Sequence, residues 1–231
     1  MSGRRVLITG GTRGIGAEIA GRLLDAGMEV FVLARKAASA TGGATVVEYD
    51  LRNTEELPSL LDRLPPLDVL VNNAGIMHGC KGEAYTEAMR KEILSVNLEA
   101  PVLLMQHVGA RMAARGEGRI VNVGSLAGQI GHPDVWYGVS KAGLLNATKT
   151  FACEYGPSGV IINAVAPGPV ETEMLATIPA ARKEEIVRRV FARRFARPSE
   201  VAEVVRWLAI DAPEYLNGVC IGLSNGAFLG G

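Results

Sequence analysis

The sequence is poor in the residues that build covalent or metal-held frameworks. Cys80, Cys153 and Cys220 are its only cysteines, and His78, His107 and His132 its only histidines. Three widely spaced cysteines suit neither a disulfide framework nor a zinc site, and the histidines have no ligand spacing. Free thiols are expected, with Cys153 and Cys220 packed in the core. Neither sign of charge is in excess: 24 Lys plus Arg face 24 Asp plus Glu, which argues against a broad nucleic-acid surface. No apolar run approaches the roughly 18 residues of a membrane span. Met1–Arg5 leads directly into Val6-Leu7-Ile8, without the longer apolar stretch of a secretory signal. A cytoplasmic protein with neither membrane nor nucleic-acid partner is expected. Eleven prolines are too few for a disordered low-complexity chain, and 48% hydrophobic residues suffice for a sizeable core.

Glycine is abundant: 28 of 231 residues, about 12% against a typical ~7%. Its distribution follows an alternation of elements. Strands are predicted at Arg5–Thr9, Glu29–Ala34, Ala44–Asp50, Leu67–Asn73, Gly118–Gly124, Val160–Val165 and Val219–Leu223. Between them, helical spacing predicts Gly14–Ala26, a long Met89–Ala114 helix interrupted near Pro101, and Val135–Tyr155. Two more follow at Thr172–Ala196 and at Ser199–Ile210, the last with Ser199 as N-cap. Such alternation predicts an α/β fold, a parallel sheet with helices on both faces, in one domain spanning 1–231. The Gly-rich stretch Ala37–Ala44 is too short for a helix.

Four glycines, Gly10, Gly11, Gly14 and Gly16, cluster where the first strand turns into the first helix. Glycine permits positive φ and close approach of backbone to a ligand, and a helix N-terminus offers free N–H groups to a pyrophosphate. The spacing is G-x-x-x-G-x-G, not the commoner G-x-G-x-x-G. Farther on, Tyr137 lies four residues before Lys141, on one face of a helix, where an ammonium lowers a phenol pKa. Ser125 follows a buried strand, at the sheet end where ligands bind, and its hydroxyl can stabilise developing oxyanion charge.

With T-G-G-T-R-G-I-G at Thr9–Gly16, N-N-A-G at Asn72–Gly75, Asn97 in S-V-N, Ser125 in V-G-S, Y-G-V-S-K at Tyr137–Lys141 and P-G-P-V-E-T at Pro167–Thr172, the chain resembles the short-chain dehydrogenases/reductases. The resemblance is to NADP-preferring members similar to 3-oxoacyl reductases. It implies a Rossmann-like, doubly wound, seven-stranded parallel sheet and interconversion of a ketone and a secondary alcohol. Tyr137 is then the general acid in reduction and the base in oxidation. Lys141 tunes it and holds the nicotinamide ribose, Ser125 binds the substrate oxygen, and Asn97 holds a water behind Lys141. Cofactor contacts are implied for Gly10, Thr12, Arg13, Gly14, Ile15 and Gly16 of the glycine turn. They are implied also for Asp50 and Leu51, for Asn73, Ala74 and Gly75, and for Pro167, Gly168, Val170 and Thr172.

NAD-preferring relatives carry an acid at the end of the second strand. Here Ala34 is followed by Arg35 and Lys36, and a guanidinium binds a 2′-phosphate that a carboxylate would repel. NADP(H) is the expected cofactor, with Arg13 as a second phosphate partner. Residues 167–198 are expected to cover a small-molecule substrate with an apolar wall and a basic rim. The 76–85 loop is expected to be exposed, the other reading being that His78 and Cys80 face the substrate. Carrier-protein reductases often have an Arg near the end of the Tyr helix, where this chain has Gly156-Pro157-Ser158-Gly159. Homodimers or homotetramers are usual in the family. Two other readings stay open at this stage: an NADP(H)-binding sensor without catalysis, and a non-redox dehydratase or epimerase.

Overall fold

The computed structural model describes residues 3–36, 42–80, 82–176 and 178–229. Its sheet is built from apolar runs buried on both faces. In β1 (Arg5–Thr9) every residue after Arg5 is buried, and β4 (Val69–Asn72) and β6 (Val160–Pro167) are buried throughout. With β2 (Glu29–Ala34), β3 (Thr45–Glu48), β5 (Gly118–Val123) and β7 (Cys220–Leu223) they form one sheet in the order β3-β2-β1-β4-β5-β6-β7. Every pairing is parallel. Successive strand residues point to opposite faces, so Val6 and Ile8 join one apolar layer and Leu7 the other. The first layer is closed by α1 (Gly14–Asp25) and α8 (Pro198–Ile210), through Ile19, Leu23, Val201 and Val205. The second is closed by α2 (Leu57–Leu61), α4 (Ala100–Arg115) and α5 (Val135–Tyr155), through Leu57, Leu104, Met105 and Leu144. Each such side chain contributes about 1.5–3 kcal/mol by leaving water. The strand order reverses between β1 and β4, which opens a crevice at their carboxyl ends.

The fold class is as expected, and several elements differ. The long central helix starts earlier, at α3 (Glu87–Leu94), where Thr86 accepts the Met89 N–H as N-cap. Its interruption is a π-helical turn at Ser95–Glu99. That turn precedes Pro101, which sits harmlessly in the first turn of α4. The predicted Thr172–Ala196 helix is two short pieces, α6 (Glu173–Ala176) and α7 (Ala180–Arg189). Pro179 explains the break, because proline pushes the residue before it out of helical conformation. Ser199 is not an N-cap: Arg197 is, and Pro198 takes the first helical position, where its missing N–H costs nothing. The helix α2 was not among the predicted elements. Cys153 is exposed, one residue and a hundred degrees of helix beyond buried Ala152, and Cys220 is half-buried. Of the Gly-rich 37–44 stretch, residues 37–41 lie outside the described residues, and Gly42 and Gly43 form a turn with positive φ. Among the described residues no helix is long and apolar enough to cross a membrane, and no cluster of three His, Cys, Asp or Glu could hold a metal.

Candidate active site

The crevice is floored by the glycine turn. Gly10 and Gly14 take φ of 65° and 52°, the left-handed region that an L side chain strains to enter. A Cβ on Gly16 would overlap the Gly10 carbonyl, so the turn closes on itself with no room for a side chain. The segment after β4 braces it. Thr9 Oγ1 accepts the N–H groups of Asn73 and Ala74, both at 3.0 Å, while Asn73 Nδ2 donates to Thr9 O and Gly10 O at 3.0 and 3.1 Å. Behind the turn, α1 opens without a side-chain cap and without an acidic residue in its first turn. Its N-terminal N–H groups and positive dipole end are therefore available to an anion, with half-buried Thr12 and Ile15 at the rim. This bare helix start fits the pyrophosphate of a nicotinamide dinucleotide.

At the far edge, Arg35 and Lys36 are exposed beyond β2. Asp50, beyond β3, has its carboxyl held below the usual range by hydrogen bonding to Arg52, with a contribution from the charge of Arg35. Leu51 beside it is buried. Arg35 and Asp50 thus lie at the carboxyl ends of neighbouring strands, near enough for the charge of one to act on the other, and β2 itself ends in Ala34 rather than an acid. Arg13 does not join them. It pairs with Glu173 of α6 at 2.5 Å, both side chains about 70% exposed (69% and 73%). Such a surface pair contributes about 0–1 kcal/mol.

The groups expected to react lie on the opposite side. Asn97 sits in the π-helical turn, fully buried; its Oδ1 accepts the Ile76 N–H at 2.8 Å and its Nδ2 donates to Ile76 O at 2.9 Å. The wider turn is what brings this side chain out of the α-helical register. Lys141 is buried, and its Nζ donates to Val123 O at 2.9 Å. A Cβ on Gly75 would stand 3.3 Å from Lys141 Nζ and 3.6 Å from Asn97 Oδ1, so Gly75, Lys141 and Asn97 share one small space. Among the described residues the other two Nζ donors reach no protein acceptor, a donor set that suits a hydroxylated ligand. Burial alone lowers the Lys141 ammonium to about 8. Tyr137, one turn earlier, is half-buried. Its phenol is pushed up, first by burial; hydrogen bonding from Ser125 opposes this, and the nearby Asp134 carboxylate adds to it. The expected lowering by Lys141 is therefore not what governs Tyr137 here: burial wins. Ser125 also caps the turn after β5, accepting the Ala127 N–H at 3.1 Å.

The third side of the crevice follows β6. Pro167 ends the strand, the Gly168 N–H bonds Leu223 O at 2.9 Å, and Val170 is buried where it bridges Ala196. Thr172 comes next, and a Cβ on Gly14 would lie 3.5 Å from its methyl group. The carboxamide end of the predicted cofactor path therefore reaches the glycine turn. In the 76–85 loop Gly79, Glu83 and Ala84 are exposed as predicted, while His78 is only 19% exposed and Cys80 is half-buried. His78 packs edge-on against Tyr85 at 5.7 Å.

Four supporting residues were missed by sequence reasoning. Thr9 braces the glycine turn, as described. Asn122 in β5 accepts from Asn72 Nδ2 at 2.8 Å and donates to Thr148 Oγ1 at 2.9 Å, tying β4, β5 and α5 together beneath the site. Asp134 caps α5. The Asp three residues before the helical Tyr was a readable capping signal; the buried Asn and Thr had no local one.

Comparison with known proteins agrees with this geometry. The family model described as enoyl-(acyl carrier protein) reductase matches residues 10–227. The 3-oxoacyl-(acyl-carrier-protein) reductase FabG of Aquifex aeolicus is 35% identical, over 99% of this chain and 98% of its own. The chain belongs to the short-chain dehydrogenase/reductase family. It is an oxidoreductase of that family. Another member, cis-4-hydroxycyclohexanecarboxylate dehydrogenase of Sinomonas cyclohexanicum, is 34% identical over 96% of each chain. Among solved members of the family, a putative NAD(P)-dependent gluconate 5-dehydrogenase of Beutenbergia cavernae, crystallised with NADP, superposes with a TM-score of 0.92 at 33% identity. That match covers 98% of this chain and 97% of the other.

Proposed function

We propose that this protein is an NADP(H)-dependent reductase that interconverts a small-molecule ketone and a secondary alcohol. The observation that carries the reading is the half-buried Tyr137 phenol standing one helical turn before a buried lysine with two spare donors, beside Ser125 at the end of β5. When bound, the nicotinamide would supply hydride to the carbonyl carbon. The chain supplies the rest. Ser125 holds the substrate oxygen, and Tyr137 donates the proton that this oxygen takes up. A phenol raised by burial is fully protonated at neutral pH and so ready to act as the acid. Lys141, with Nζ anchored on Val123 O, holds the ribose hydroxyls and returns a proton to the phenol. Asn97, fixed to both polar groups of the Ile76 backbone, orients the water behind Lys141.

The remaining contacts follow the crevice. Gly10, Thr12, Gly14, Ile15 and Gly16 cradle the pyrophosphate, Asp50 and Leu51 the adenine, and Asn73, Ala74 and Gly75 the adenosine side; Arg13 contacts the 2′-phosphate only on leaving Glu173. Pro167, Gly168, Val170 and Thr172 take the carboxamide. Arg35 binds the 2′-phosphate, supported by its exposed place beyond β2 opposite Asp50. Residues 167–198 cover the substrate. Three of the cations on their basic rim are paired, Arg182 and Arg189 with Glu185 and Arg194 with Glu200. Among the described residues Lys183, Arg188, Arg193 and Arg197 form no ion pair, so the rim keeps net positive charge beside the apolar wall. Exposed Val135 and Val139 lie four residues apart on α5 and support a homo-oligomer joined through that helix; mass by light scattering should exceed that of one chain.

The test is Tyr137→Phe. With NADPH and a panel of ketones, turnover should fall by about 10²–10⁴-fold while NADPH affinity stays within twofold. Full activity in this variant would remove the phenol from the mechanism.

A further inference from the structure

Asp134 is the residue before α5, two before Trp136 and three before Tyr137, and only 2% exposed. An N-cap ordinarily serves one or two amides of its own helix. This carboxylate serves three donors from two parts of the chain. Its Oδ1 accepts the backbone N–H of Tyr137 at 3.0 Å and the hydroxyl of Tyr85 at 2.5 Å. Its Oδ2 accepts the Gly79 N–H at 2.8 Å. Tyr85 and Gly79 belong to the 76–85 loop, which follows Gly75 beyond the end of β4 and which, on the proposed function, borders the substrate. We propose that Asp134 is a positioning residue for Tyr137, and that one buried carboxylate locks the substrate-side loop and the proton donor into a single register. The proposal rests on Tyr137 acting as the proton donor.

The chemistry of the group supports this. Three donors arriving from two directions need two acceptor oxygens. Ser or Thr, equally good N-caps, offer one oxygen, and Asn replaces the second acceptor with a donor. Gly79 takes φ of 70°, which turns its N–H toward Oδ2. Tyr85 is held from behind by the His78 ring, and its hydroxyl is kept protonated by burial and by the Asp134 carboxylate, so it remains a donor. A negative charge is also favourable at the start of a helix.

The carboxylate also acts on the Tyr137 phenol by its charge. The groups around that phenol are Lys141 on the same helix, Ser125 from the β5 end, the His132 ring at 5.4 Å, and Asp134 with its partner Tyr85. Of these, Asp134 alone opposes ionisation of the phenol by charge. It thus favours the protonated form that carbonyl reduction needs.

Two variants test the assignment in the ligand-free protein. Asp134→Asn retains an N-cap but presents a donor to Gly79. Tyr85→Phe retains the carboxylate and removes one donor. Ultraviolet difference titration against Tyr137→Phe isolates the ionisation of Tyr137. Hydrogen exchange read by mass spectrometry follows the amides of 76–85 and of the α5 start. In Asp134→Asn the Tyr137 pKa should drop, and both segments should exchange about tenfold faster or more. In Tyr85→Phe only the loop should exchange faster, and the Tyr137 pKa should not drop. If Asp134→Asn leaves the Tyr137 pKa in place, or if neither variant changes exchange in 76–85, the assignment is wrong. Neither readout needs turnover. Failure here is thus separate from failure of the proton-donor role, which Tyr137→Phe kinetics decides.

Discussion

Lys141→Met should turn the buried ammonium into a measurable stability difference. In the ligand-free protein Lys141 is 2% exposed, and burial takes its pKa from 10.5 to about 8. A depression of that size corresponds to about 3 kcal/mol. The sign follows from proton binding. Below about pH 8 both folded and unfolded chains hold the proton, and the folded state carries the whole desolvation cost. Between about 8 and 10.5 the folded chain has released the proton while the unfolded chain keeps it, so raising the pH stabilises the wild type. Above 10.5 neither holds it, and the cost is gone. Met has similar length and no charge, so its stability lacks this term at every pH. It does strip Val123 O of its donor, about 1–2 kcal/mol, but that loss is the same across the range and drops out of the comparison. Urea unfolding of both proteins at several pH values from 7 to 10.5 measures the difference. Wild type should gain up to about 3 kcal/mol on Lys141→Met across that interval. A difference that stays flat, or that moves in favour of the variant as pH rises, would show that the buried ammonium is not penalised as described. The cost is local to a reacting group, which is where a fold tolerates it.

Three further outcomes are expected. Arg35→Asp should lower the ratio of kcat/KM for NADPH over NADH by about 100-fold, since it exchanges a phosphate partner for a repelling carboxylate; an unchanged ratio would assign the 2′-phosphate to other residues. Asn122→Ala should cost about 2 kcal/mol in urea unfolding, because it strands the buried Asn72 amide donor, while the Thr148 hydroxyl keeps its bond to Leu144 O. A loss under about 0.5 kcal/mol would mean that water replaces the ladder freely. Gly16→Ala should weaken NADPH binding by about tenfold or more, because its Cβ collides with the Gly10 carbonyl and opens the turn; retained affinity would show that the turn has slack.

The strand–helix alternation, the glycine turn and the Tyr–Lys spacing are local patterns, and local patterns survive folding. Periodicity and turn chemistry act over a few residues, so Arg5–Thr9, Glu29–Ala34 and Val135–Tyr155 could be read to the residue. Pro179 and Pro198 show how that reading slips. Each carries a steric rule that apolar spacing does not record, and each moved a helix boundary. The absence of an acid after Ala34 was equally plain from the chain alone.

Distance in space was another matter. Nothing near Asn97 in the sequence announces a π-helical turn, and nothing near Asp134 announces Gly79 and Tyr85, about fifty residues earlier. The same holds for Asn72, Asn122 and Thr148, which meet only because β4, β5 and α5 are stacked in register. The Tyr137 phenol gives the sharpest case. Its sequence neighbour Lys141 argued for a lowered pKa, yet burial, a property of the packed molecule, drives it upward. Which groups are present was settled by the chain; which of them are dry, and what each dry group leans on, was decided by packing, because desolvation depends on everything that excludes water.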